Sequence, residues 1–206
     1  MLSRCYPLQP FIAAMRRLLT VCLLALLASA CGEPAHFNAT DITGADFGRD
    51  FVLNDPQGRP RRLADFRGQV VVVFFGYTQC PDVCPTTLST MARVMGQLGA
   101  DAGRVQVVFV TVDPERDTPA LLATYTPAFH PSFIGLSGDA QATQVAMREF
   151  RVYAEKNPGG APGQYTVDHT AQSYVFDPKG KLRLIIRHGA AVEAIVADLH
   201  QLLNGA

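Results

Sequence analysis

Residues 70–75 read Val-Val-Val-Val-Phe-Phe with no polar interruption, the pattern of a strand covered on both faces. Leu88, Met91, Ala92, Met95 and Leu98 then recur at three- and four-residue spacing. This predicts a helix that opens with Pro85 near its first position and closes at Gly99. A second buried strand is expected over residues 105–112, followed by helices over 119–125 and 139–150 and a strand over 152–155. The tail predicts strands over 173–176 and 182–187 around the turn Asp177-Pro178-Lys179-Gly180, and a last helix over 192–203. Upstream, residues 51–53 and 61–63 flank Asn54-Asp55-Pro56-Gln57-Gly58 and predict an N-terminal hairpin. Repeats and low-complexity tracts are absent, and the alternation implies an α/β chain with a central mixed sheet and helices on both faces.

Composition narrows the functional classes. The chain has 206 residues, 48% hydrophobic and 17% charged, with 18 basic and 18 acidic side chains. That suits one globular domain with a small appendage, and it argues against intrinsic disorder and against a nucleic-acid partner held by charge. The balance is uneven along the chain: residues 1–30 hold Arg4, Arg16 and Arg17 and no acid. Arg16-Arg17, the apolar run 18–27 and Ala28-Ser29-Ala30-Cys31 read as a secretory signal over residues 1–30, too short to span a membrane, which needs about 20 apolar residues. A cysteine directly after the small residues resembles a bacterial lipoprotein signal, with Cys31 acylated after cleavage; ordinary secretion and an uncleaved anchor are the alternatives, and Met15 is a second candidate start. Residues 31–47, rich in Gly, Ala, Asn, Thr and Asp, are expected to be a tether, and residues 48–206 the domain. The domain would then lie in the bacterial cell envelope, attached to the membrane through its N-terminal lipid and facing the periplasm.

Processing leaves Cys80 and Cys84 as the thiols of the folded part. A bridge between residues four apart closes a very small loop and adds little stability, so the pair reads as reactive. It lies in Phe74-Phe75-Gly76-Tyr77-Thr78-Gln79-Cys80-Pro81-Asp82-Val83-Cys84-Pro85, between a buried strand and the next helix, the thioredoxin-like arrangement. Pro81 and Pro85 place Cys80 in the loop and Cys84 at the helix start, where the dipole favours thiolate. His169, before the strand over 173–176, is the third candidate. Two thiolates and an imidazole make a soft donor set suited to Cu(I), to Cu(II) with a further ligand, or to zinc with water. Asp82 and Asp168 are candidates for orienting these ligands from behind, or else ordinary turn acids. Thr111-Val112-Asp113-Pro114-Glu115-Arg116-Asp117-Thr118-Pro119 falls at the C-terminal edge of the sheet, either contacting a partner or capping a helix through Asp117 or Thr118. Met91, Met95 and Met147 fall on apolar helical stripes and read as core, His130, His188 and His200 carry no spacing signal, and His36 in the tether is a candidate to assist metal capture.

The three strings FFGYTQCPDVCPTTL, TVDPERDTP and DHTAQSYVFDPKG together resemble the SCO/SenC family of copper-binding, thioredoxin-like proteins, over roughly residues 51–203. The resemblance implies copper held by Cys80, Cys84 and His169, and help in assembling the binuclear copper site of cytochrome c oxidase. The partners implied are the oxidase subunit carrying that site and a periplasmic copper donor. It also implies a competing activity, a thiol-disulfide oxidoreductase in which Cys80 and Cys84 are the redox pair that keeps the target's cysteines reduced. Ala171 stands where such reductases carry a proline facing the cysteines, which suits an ion better than a substrate disulfide. A lipoprotein-like signal replaces the family's more usual membrane helix.

Overall fold

A computed structural model describes residues 36–160 and 164–206. The predicted signal and Cys31 lie outside the described residues. The hydrophobic run becomes β4, Val70–Gly76, buried along its whole length, and the second run becomes β5, Val105–Thr111. The two pair in parallel from Val70↔Val105 to Gly76↔Thr111. Parallel pairing needs a crossover, supplied by α1, Val83–Leu98, whose periodic residues Leu88, Met91, Met95 and Leu98 are all buried. Helix α1 starts two residues before Pro85, because a first-turn proline gives up an N–H that would have no partner anyway. Helix α2, Pro119–Tyr125, has Thr118 as its cap, accepting from the Leu121 N–H, and α3, Ala140–Glu149, has Asp139 accepting from Ala142.

The main sheet has the order β1-β10-β9-β4-β5-β6. Here β1 is Thr40–Asp41, β6 is Ile134–Leu136, β9 is Ser173–Phe176 and β10 is Leu182–Ile186. Strand β9 runs antiparallel to β4, with Phe74 opposite Ser173, so the start of β9 and the end of β4 share one edge of the sheet. The last helix, α4, Val192–Leu203, packs on α1. On the α1 side, Phe74 and Phe109 meet at 6.2 Å and Phe109 meets Tyr125 of α2 at 5.6 Å. On the other side, Phe150, just after α3, lies 5.1 Å from Phe75 and 5.4 Å from Tyr174. The expected mixed sheet with both faces covered is present.

Four local expectations need correction. The N-terminal hairpin pairs β2, Leu53–Asn54, with β3, Pro60–Arg61, closer to the turn than expected. The fully buried Asp55 draws the N–H groups of Gln57 and Arg59 to its carboxylate and tightens the loop. Residues 36–47 belong to the domain and not to a tether. Phe37 is buried, Asp198 takes the Asn38 and Ala39 N–H groups at 2.8 Å each, and β1 adds an edge to β10. The short strand β6 lies between α2 and α3, where the sequence predicts no strand, its Leu136 buried. The strand expected over 152–155 is one arm of a separate hairpin, β7, Ala154–Pro158, with β8, Tyr165–His169. Glu155, Lys156 and Asn157 show no alternation because this hairpin is held by its ladder and by side chains from elsewhere, not by an apolar face.

Phe150 is fully buried against Phe51, Phe75, Tyr174 and Phe176. Phe150→Ala is expected to lower unfolding free energy by about 3–5 kcal/mol, read as a reduced urea midpoint at unchanged slope.

Candidate metal centre

At the end of β4, Gly76 removes the side chain that would otherwise fill the space above α1. A Cβ there would lie 2.7 Å from Cys84 Sγ and 2.9 Å from Phe109. The absence of that atom lets the first turn of α1 press its thiol against the strand, and Cys84 is fully buried. Cys80 stays in the loop, partly exposed, its sulfur accepting the Cys84 N–H at 3.4 Å. His169, the last residue of β8, brings Nε2 to 3.3 Å from Cys84 Sγ across 85 residues of sequence. One ligand atom from each of Cys80, Cys84 and His169 lies within 4.8 Å of the others. Both cysteines are free thiols.

Burial sets the electrostatics. It pushes the Cys84 thiol well above its ordinary range, outweighing any help from the helix N-terminus and reversing the sequence expectation of a readily formed thiolate at that position. Burial also holds the His169 imidazole below its usual range and favours the neutral ligand form. Nδ1 of His169 lies 3.1 Å from the Thr170 carbonyl, which leaves Nε2 for the sulfur side. Orientation therefore comes from the backbone and not from Asp168, which is exposed on the alternate side of β8. Asp82 is exposed as well, and its carboxylate takes the Thr86 hydroxyl. Neither aspartate hydrogen-bonds a ligand.

Within the segment from Thr111 to Pro119, Asp113 and Asp117 face inward, which overturns their reading as partner contacts, while Glu115 and Thr118 are exposed. Asp117 is 1% exposed and accepts from the Thr78 N–H, the Thr78 hydroxyl and the Thr111 hydroxyl, fixing the cysteine loop to β5. Asp113, fully buried, accepts from Arg116 Nε at 2.5 Å and from the Tyr165 hydroxyl at 2.7 Å. Arg116 reaches the Tyr165 carbonyl at 2.9 Å and Gln79 at 3.2 Å, with its guanidinium 3.5 Å above the Tyr165 ring. The Tyr77 hydroxyl accepts the Val167 N–H. Together these contacts hold the hairpin that carries His169 to the loop that carries Cys80. Sequence reading missed Arg116, Tyr165 and Tyr77, because only their spatial meeting reveals the role. Met91 and Met95 are core and Met147 is half-buried; His130, His188 and His200 pair with Ser132, Thr87 and Asp101, away from the cluster.

A family model described as SCO1/SenC matches residues 39–204. The chain belongs to the SCO1/SenC family. Over 154 residues it is 41% identical to the mitochondrial SCO2 homolog of Mus musculus, covering 74% of this chain and 60% of the mouse protein, so it spans less than two thirds of that relative. Apo Sco1 of Thermus thermophilus is 44% identical with a TM-score of 0.74, covering 84% of this chain and 100% of its own. Copper-bound ScoI of Bradyrhizobium japonicum is 40% identical with a TM-score of 0.71, covering 77% of this chain and 100% of its own. The thioredoxin-like expectation thus holds for this SCO1/SenC domain. Among the described residues, no helix is long and apolar enough to cross a membrane.

Two outcomes are expected from this geometry. Iodoacetamide should label Cys80 of the reduced chain well before Cys84, followed by peptide mass, since Cys84 is both sealed and held as thiol. Arg116→Ala leaves the Asp113 carboxylate buried without its cation and should cost about 3–5 kcal/mol by chemical denaturation.

Proposed function

We propose that this SCO1/SenC chain is a membrane-tethered copper metallochaperone. In this reading Cys80 and Cys84 serve as thiolate ligands and His169 as neutral imidazole ligand, and the chain helps assemble the binuclear copper site of cytochrome c oxidase. The observation that carries it is the convergence within 4.8 Å of two sulfurs from the β4–α1 junction and one ring nitrogen from the end of β8. That donor set is soft, and the residues present fit copper by ligand type and by the affinity order of divalent metals. The copper-bound likeness of Bradyrhizobium japonicum ScoI supports the same assignment. Copper is cargo here, and bound copper lowers the cost of removing a proton from the buried Cys84 thiol, because a coordinating thiol is deprotonated outright. Holding the ligands in a preformed arrangement reduces the ordering cost of capture, while partial exposure of Cys80 leaves a path for handover to the oxidase subunit and from a periplasmic donor. Acylation of Cys31 would keep the domain at the envelope membrane; the mass of the mature chain tests it, and an unmodified Cys31 overturns the lipid anchor.

A second reading rests on a specific asymmetry. Cys80 is the more exposed sulfur and Cys84 the sealed one, the arrangement of an attacking and a resolving thiol in a thiol-disulfide oxidoreductase. The two readings part at His169, which copper needs and disulfide exchange does not.

The reduced mature chain should take up one copper, with a thiolate-to-Cu(II) absorption band. His169→Ala and Cys80→Ser should both lose the band and weaken retention by more than the about 10–100-fold that loss of an outer partner costs. Retention should also fall in acid, as protons compete for all three ligands. Unchanged copper affinity in His169→Ala, together with disulfide reduction that survives that substitution, would make the oxidoreductase the function.

A further inference from the structure

The strands give the domain two distinct ends. The metal centre occupies the end where β4 finishes and β9 begins. At the opposite end lie the start of β4, the Asp177–Lys181 turn, the start of β10 and the last turn of α4. Five basic side chains gather there. Arg67 packs beside Gly180, Arg104 donates to the Leu203 carbonyl, Arg183 reaches the Ala206 oxygen, and Lys179 and Lys181 extend from the turn. Asp101 answers Arg104 at 3.0 Å and Asp177 answers Arg183 at 3.3 Å. Arg67, Lys179 and Lys181 are exposed and join no ion pair among the described residues. At the metal end the exposed charges are of both signs, Asp82, Glu155 and Asp168 with Lys156 and Arg187, and Lys156 is paired with Glu115.

The N-terminal segment arrives at the basic end. The His36 carbonyl accepts from Gln201 in the last turns of α4, Asn38 binds Asp198 one turn earlier, and Thr40 then enters β1 opposite Ile185. Residues 36–39 therefore climb α4 from its C-terminal end, and Phe37, buried beneath Arg183, clamps them there. Only five Cα steps separate His36 from Cys31, a reach of at most about 18 Å. The six Cα steps of β4 alone span about 20 Å between the two ends.

We infer that the face bearing Arg67, Lys179 and Lys181 docks on an anionic lipid surface and holds the metal centre outward, away from the membrane. The inference rests on the proposed lipid anchor at Cys31. The short reach brings the basic end to the headgroups, and anionic headgroups attract its unpaired cations. The site then faces a partner that projects from the same membrane.

The test uses the full acylated chain on vesicles of phosphatidylcholine, with or without phosphatidylglycerol, doped with a gadolinium-chelating lipid. Amide signals report which end is near the lipid. With phosphatidylglycerol, the Gly68 and Gly180 amides should broaden while those of Thr78 and Asp168 stay sharp, and the triple variant R67E/K179E/K181E should lose the contrast. For the unacylated chain, the same variant should bind phosphatidylglycerol vesicles about a hundredfold more weakly, at roughly fivefold per basic side chain. All three side chains are exposed and remote from the cysteines, so copper uptake by the variant should stay at the parent level and report an intact fold. Equal broadening at both ends, or a variant that behaves like the parent on both vesicle types, would overturn the docking face. The mass of the mature chain separates the two ideas: an acylated chain with even broadening removes the docking face alone, and an unmodified Cys31 removes the anchor while charge-dependent vesicle binding still judges the face.

Discussion

Everything at the metal end depends on one close approach, the Cys84 sulfur against the backbone of Gly76, where no Cβ fits. That contact seats α1 on the end of β4 and puts a thiol in a dry pocket between Phe74 and Phe109. A sulfur so placed is poorly hydrated as an anion, which explains why burial outweighs the helix dipole in its proton affinity. The thiol becomes a strong ligand only when a cation arrives to replace the missing solvation. Cys84 is therefore quiet toward general thiol chemistry, while the partly exposed Cys80 stays open to it.

The histidine side of the site is organised differently. His169 sits at the end of a polar hairpin outside the main sheet, and its place is fixed by Asp113, Arg116, Tyr165 and the Tyr77 hydroxyl rather than by apolar packing. One side of the centre is a core feature and the other is hinged on a buried charge network. Such networks contribute little net stability, yet breaking one member leaves a costly charge behind, and this makes them suited to specifying a single arrangement. A buried cysteine side and a separately strutted imidazole suit the proposed capture and release of a metal.

Buried aspartates recur as structural clasps across the fold. Asp55 and Asp177 each close an Asp-Pro-x-Gly turn by taking backbone N–H groups two and four residues on, while Gly58 and Gly180 supply the positive φ that those turns require. Asp198 performs the corresponding service between α4 and the N-terminal segment. The acids therefore serve the architecture more often than the chemistry, and Asp113 and Asp117 follow the same pattern beside the metal centre.

The order of strands and helices was legible from sequence because apolar periodicity is local: β4, α1, β5, α2, β9 and α4 each carry their own pattern. The donor set was legible too, since thiol and imidazole chemistry belongs to the residues wherever they stand. What escaped was held by distant partners. Residues 36–47 resembled a tether because the groups that fix them, Asp198 and β10, lie more than a hundred residues away. The β7–β8 hairpin showed no alternation because Arg116 and its ladder, not an apolar face, hold it. Sequence alone determined the periodic elements and the three candidate ligands; the tertiary structure decided that their atoms meet, that Cys84 is kept protonated rather than ionised, and which acids face inward. The reason is physical: periodicity and ligand softness are properties of neighbouring atoms along the chain, whereas burial and long-range hydrogen bonding exist only once the chain has closed on itself.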